Sequence, residues 1–74
     1  MTQLEIESEV QGNVWKVLVS EGESVTAGQV LIIIESMKME IPVEAPAAGR
    51  IVTMKVAPEQ AVEEDQVLAL LESD

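Results

Sequence analysis

Residues 4–10 read Leu4-Glu5-Ile6-Glu7-Ser8-Glu9-Val10, apolar and polar in alternation. A period of two sends successive side chains to opposite faces, which predicts a half-buried β-strand. Residues 14–19, 30–34, 51–56 and 67–71 are short β-branched or aliphatic runs. Each is bounded by turn chemistry: Ser20-Glu21-Gly22-Glu23, Thr26-Ala27-Gly28 and Pro46-Ala47-Ala48-Gly49. No stripe of helical period competes with the strand reading. The segment Ser36-Met37-Lys38-Met39 then joins a strand ending at Glu35 to one beginning at Glu40 or Ile41.

The chain also repeats itself. Shifted by 37 residues, Gly12, Val19, Val25, Gln29, Val30, Leu31, Glu35 and Ser36 fall on Gly49, Val56, Val62, Gln66, Val67, Leu68, Glu72 and Ser73. Conservative pairs such as Val14/Ile51, Val17/Met54, Ile33/Leu70 and Ile34/Leu71 fill the intervals, and Leu4/Ile41, Ile6/Val43 and Glu7/Glu44 extend the match upstream. Residues 1–74 are thus expected to form a single domain of two repeats, 1–37 and 38–74. Neither half can bury its apolar face alone. The expected fold is all-β, a flattened barrel or sandwich of two four-stranded antiparallel sheets with quasi-two-fold symmetry. Gly12 and Gly49 coincide, which points to a backbone position needing positive φ or close approach. Gly22 and Gly28 align with Glu59 and Asp65, so glycine is convenient there rather than obligatory. Lys38 aligns with Met1, so the turn holding Lys38 should sit at one pole and the chain ends at the other.

Charge and composition restrict what such a domain can do. Fourteen Asp and Glu oppose four Lys and Arg, for a formal net charge of −10. That surface repels nucleic-acid phosphates and anionic lipid, so neither nucleic acid nor membrane is an expected partner. There is no histidine, tyrosine or phenylalanine, which removes the commonest general base and any platform for stacked bases. An enzyme in its own right is therefore not expected. The absence of cysteine fits a reducing compartment, and the first residues lack the pattern of a signal peptide, so a cytoplasmic location is expected. Glu63-Glu64-Asp65 lacks the spacing of a calcium loop, and no metal site is expected. Trp15, the single aromatic residue, is expected to pack in the core or at a sheet edge.

Lys38 stands apart from Lys16 and Lys55, which read as solvated surface residues. A tight hairpin centred on Met37-Lys38 ignores the Asn-Gly or Asp-Gly preference of such turns. It also places Glu35 opposite Glu40, a like-charge cross-strand pair that costs stability. Two thioethers on an exposed turn are a poor choice for folding and a good one for being recognised. Departures of this kind concentrate at functional sites.

The stretch Glu35-Ser36-Met37-Lys38-Met39-Glu40, with Val30-Leu31 before it and Ala45-Pro46-Ala47-Ala48-Gly49 after it, resembles the biotinyl-lysine motif of biotin carboxyl carrier proteins and of biotinyl domains in biotin-dependent carboxylases. Gly12-Asn13-Val14-Trp15-Lys16-Val17 and Glu21-Gly22-Glu23-Ser24-Val25 resemble the first half of the same domains. The resemblance implies covalent biotin on Lys38, attached by a biotin protein ligase as an amide from the biotinyl adenylate. It implies a carrier that shuttles carboxylate between a biotin carboxylase and a carboxyltransferase, as in acetyl-CoA or other acyl-CoA carboxylases. Recognition is expected through Glu35, Ser36, Met37, Met39 and Glu40, the methionines giving apolar contacts to the ligase or carboxylase and the glutamates meeting basic groups there. The chain departs from the family pattern at Ser36, where alanine is most common. It has no thumb-like insertion between the first strands and no Pro/Ala-rich linker ahead of the domain, which suggests a free-standing carrier or a domain cut from a larger chain. Two alternatives are a lipoyl carrier, whose lysine usually lies in Asp-Lys-Ala, and an unmodified interaction module.

Overall fold

The alternating and aliphatic runs become antiparallel strands in a computed structural model, in which residues 2–73 are described. These are β1 (Thr2–Glu7), β2 (Gly12–Val17), β3 (Ser24–Val25), β4 (Val30–Ser36), β5 (Met39–Glu44), β6 (Gly49–Met54), β7 (Ala61–Val62) and β8 (Val67–Ser73). One sheet has the order β1-β8-β6-β3 and the other β5-β4-β2-β7. Exchanging β1 with β5, β2 with β6, β3 with β7 and β4 with β8 turns either order into the other. The fold is therefore all-β with two four-stranded antiparallel sheets, and the 37-residue repeat is its quasi-two-fold symmetry.

The bulges obey the same symmetry. The register of β4 on β5 shifts between Val30 and Ile32, and that of β1 on β8 between Ile6 and Glu7. The residues skipped, Leu31 and Leu68, are both fully buried beside Ile32 and Ala69. An extra residue in a strand breaks the alternation locally, which lets β4 and β8 each turn two consecutive side chains inward. A second pair of shifts, between Val14 and Lys16 on β2 and between Ile51 and Thr53 on β6, leaves Trp15 and Val52 on the surface. Trp15 is 41% exposed, so it is not part of the core, and the Lys16 ammonium lies 4.5 Å from its ring centroid.

Both sheets supply one core. Val14/Ile51, Val19/Val56, Val25/Val62, Leu31/Leu68, Ile32/Ala69 and Ile34/Leu71 are buried as symmetric pairs. Each buried Val, Leu or Ile contributes roughly 1.5–3 kcal/mol relative to exposure. The alternation of residues 4–10 outlasts strand β1: Ser8 is buried and Val10 packs partly on the core although both follow Glu7. The Ser8 hydroxyl is satisfied locally, donating to the Val10 carbonyl at 2.6 Å.

Four four-residue turns share one construction. In 20–23, 26–29, 57–60 and 63–66 the fourth amide donates to the first carbonyl at 3.1–3.2 Å. The third residue has positive φ: Gly22 at 86°, Gly28 at 84°, Glu59 at 72° and Asp65 at 66°. This is the pattern of a type II turn, with Pro58 at the favoured second position of one of them. The fourth residue, Glu23, Gln29, Gln60 or Gln66, accepts the first residue's N–H on its side-chain oxygen at 2.9–3.1 Å. The backbone therefore demands left-handed geometry at all four third positions, and Glu59 and Asp65 bear the steric cost that Gly22 and Gly28 avoid.

Gly12 and Gly49 answer to close approach and not to positive φ. A Cβ at Gly12 would run into the Glu35 carbonyl oxygen, and one at Gly49 into that of Glu72. Both glycines let β2 and β6 lie against the ends of the central strands β4 and β8.

The connections set the poles. Thr2 pairs with Ser73, and Ser73 with Gly49. Four residues join Gly49 back to Glu44, the end of β5 that lies away from Met39. Thr2 and Ser73 therefore share one end of a body 36 Å long, and the β4–β5 turn occupies the other. Met1, the symmetry mate of Lys38, lies outside the described residues.

Two substitutions test this backbone reading. Gly49→Ala should lower stability by about 1–3 kcal/mol through overpacking against Glu72, whereas Glu59→Gly should raise it by about 1 kcal/mol by relieving the left-handed residue. Urea unfolding followed by the Trp15 fluorescence checks both, and equal responses would contradict the assignment.

Candidate functional site

The β4–β5 connection is a two-residue hairpin. Ser36 pairs with Met39, leaving Met37 and Lys38 as its centre. Their φ angles are 50° and 67°, so both central residues are left-handed, as a type I′ turn requires. That turn matches the twist of its strands, which explains the hairpin, but glycine and asparagine normally occupy it. Two left-handed non-glycine residues cost about 1–2 kcal/mol each.

The same geometry puts the side chains outside. Lys38 is exposed, Met37 is 93% exposed and Met39 is 64% exposed. A solvent-directed amine stands at the apex with a thioether on either side. Glu35 and Glu40 face each other one pair below Ser36 and Met39, as the spacing predicts, and both are exposed. Ser36 is half-buried, and its hydroxyl donates to the Gln11 carbonyl at 2.7 Å. The hairpin thus gathers Glu35, Ser36, Met37, Lys38, Met39 and Glu40 at one end of the molecule, with a negatively charged collar around a single cation.

Other candidates are placed elsewhere. Lys16 covers the Trp15 ring on the face of β2, and Lys55 follows β6 on the opposite sheet. Glu63, Glu64 and Asp65 belong to a turn, and among the described residues no group of three or more His, Cys, Asp or Glu is placed to hold a metal ion. The remaining glutamates are exposed on strands and loops, except Glu72, which is half-buried on β8.

The family profile described as "Biotin-requiring enzyme" matches residues 3–73. The chain belongs to the biotin/lipoyl attachment family. Among members of this biotinyl family, the "Biotinylated protein TB7.3 homolog" of Mycobacterium leprae is 36% identical over 67 residues, covering 90% of this chain and 94% of its own. The "Biotin/lipoyl attachment protein" of Bacillus subtilis is 42% identical over 60 residues, covering 81% of this chain and 82% of its own. In structure, part of a single-chain, multi-domain long-chain acyl-CoA carboxylase superposes on 97% of the chain with a TM-score of 0.92 and 30% identity. The match is 7% of that carboxylase, so in that protein the biotinyl-type fold is one small module among larger ones.

The strain at the biotinyl-type hairpin is measurable. Replacing Met37-Lys38 by Asn-Gly should stabilise the domain by about 1–3 kcal/mol, since both residues are suited to the type I′ turn. An unchanged or lower urea midpoint would show that the turn is not strained.

Proposed function

We propose that this chain is a biotin carboxyl carrier and that Lys38 is its attachment point. The carrying observation is the exposed amine at the apex of a strained hairpin, flanked by exposed Met37 and Met39. Stability alone does not select that sequence, and relatives named for biotinylation and biotin/lipoyl attachment share the family.

The residues fit the group they would hold. Lys38 offers an unhindered primary amine for an amide bond with the carboxyl of biotin, with the adenylate's AMP as leaving group and the amine proton lost. Forming the amide requires a proton to leave the amine, and the chain has no histidine to take it. The biotin protein ligase therefore supplies the base. Attached biotin supplies a ring nitrogen able to carry carboxylate. Everything else this chain does is mechanical: the hairpin holds the lysine stem clear of both sheets, and the fold keeps it far from Thr2 and Ser73.

Tethering raises the effective concentration of the carried group at each partner, a biotin carboxylase and a carboxyltransferase. Met37 and Met39 give flexible apolar contacts, while Glu35 and Glu40 meet basic groups. No catalytic group is required from the carrier itself.

Incubation with a biotin protein ligase, biotin and ATP tests the assignment. Lys38→Arg should abolish streptavidin-detectable product, while Lys16→Arg and Lys55→Arg should retain it. Labelling that survives in Lys38→Arg would overturn it. Raising the ionic strength should slow the modification if Glu35 and Glu40 dock on basic groups, and a flat salt dependence would remove that contact.

A further inference from the structure

We propose that Ser36 is a positioning residue: its side chain supplies the rung that backbone pairing does not, fixing the Lys38 hairpin to the body of the domain. This rests on Lys38 being the modified residue.

Backbone pairing between β2 and β4 ends at Asn13 and Glu35. Past that pair, Gly12 turns to β7, pairing with Val62. Ser36, Met37 and Lys38 therefore project beyond the last backbone rung joining β4 to β2, supported on the other side only by β5, an edge strand that starts at Met39. The turn they form is strained, and left-handed non-glycine residues persist only where their surroundings over-determine them. The Ser36 hydroxyl bridges the gap by donating to the Gln11 carbonyl at 2.7 Å, across 25 residues of sequence. Gly12 makes the approach possible, since a side chain there would strike the Glu35 carbonyl. The hydroxyl therefore continues the β2–β4 ladder one residue further, at the position next to Met37.

The symmetry of the fold supplies a control at the opposite pole. Ser73 occupies the equivalent place on β8, where backbone pairing already continues to Gly49 of β6, and its hydroxyl donates at 3.1 Å to the carbonyl of Thr2, its own partner on β1. Deleting the Ser73 hydroxyl therefore removes a hydrogen bond near a sheet end that bridges no missing rung and lies far from Lys38.

The experiment compares Ser36→Ala, Ser36→Thr and Ser73→Ala with the parent chain, all unmodified. Residue-resolved amide exchange should accelerate about three- to tenfold at Met39, the residue paired with Ser36 across the hairpin, in Ser36→Ala, the range set by one net hydrogen bond. Ser36→Thr should restore the parent rate, and Ser73→Ala should leave that amide unchanged. With a biotin protein ligase, Ser36→Ala should raise the KM for the carrier by a similar factor with kcat within about twofold. Unchanged tip exchange in Ser36→Ala, or equal acceleration in Ser73→Ala, would overturn the latch. Accelerated exchange with an unaltered KM would overturn its part in presenting Lys38. If the parent chain accepts no biotin at all, the attachment proposal fails, while the exchange data still decide whether Ser36 holds the hairpin.

Discussion

The shared burial of the two central strands governs this molecule. β4 and β8 carry the most apolar stretches of the chain, and Leu31, Ile32, Ile34, Leu68, Ala69 and Leu71 are completely buried in one core. Neither strand can satisfy its apolar face within its own repeat. Burying both at once fixes the two sheets face to face, and the symmetric bulges at Leu31 and Leu68 let consecutive side chains enter the core. Because β4 is locked along its length, the chain can end it in an unfavourable turn without unfolding. The strain at Met37 and Lys38 is thus tolerated by packing at the other end of the same strand.

The two poles show what symmetry leaves free. Equivalent positions share burial, bulges and turns, since the same packing problem is solved twice. The difference that bears on function falls at the ends of β4 and β8. One strand runs into a type I′ hairpin with an exposed Met-Lys-Met, while the other runs to the chain's end beside Thr2. The exposed lysine and the Thr2–Ser73 pair thus lie at opposite ends of a 36 Å body.

Much of this was legible in the residues. The 37-residue repeat and its aliphatic runs point to two equivalent sheets, and the Met-Lys-Met sequence between glutamates marks the hairpin and its like-charge pair. Strands β3 and β7 were not legible as strands, because two residues carry no periodicity. Of the two places expected for Trp15, the core is excluded: it neighbours buried Val14 on β2 and so faces outward, and a single sequence does not reveal which face of that strand is buried across its register shift. Of the residues closing the four type II turns, only Gln29 and Gln66 stood out as a repeat pair, and the role of all four depends on a three-dimensional contact to the turn's first amide. Ser36 read as a departure from the family's usual alanine within the recognition stretch, and its bond to Gln11 emerges only when residues 25 apart are brought together.

The most direct measurement is the intact mass of the protein isolated from its own host, with peptide mapping across residues 30–44. The account predicts a biotinyl increment, confined to Lys38. An unmodified Lys38, or a lipoyl increment in its place, would contradict it.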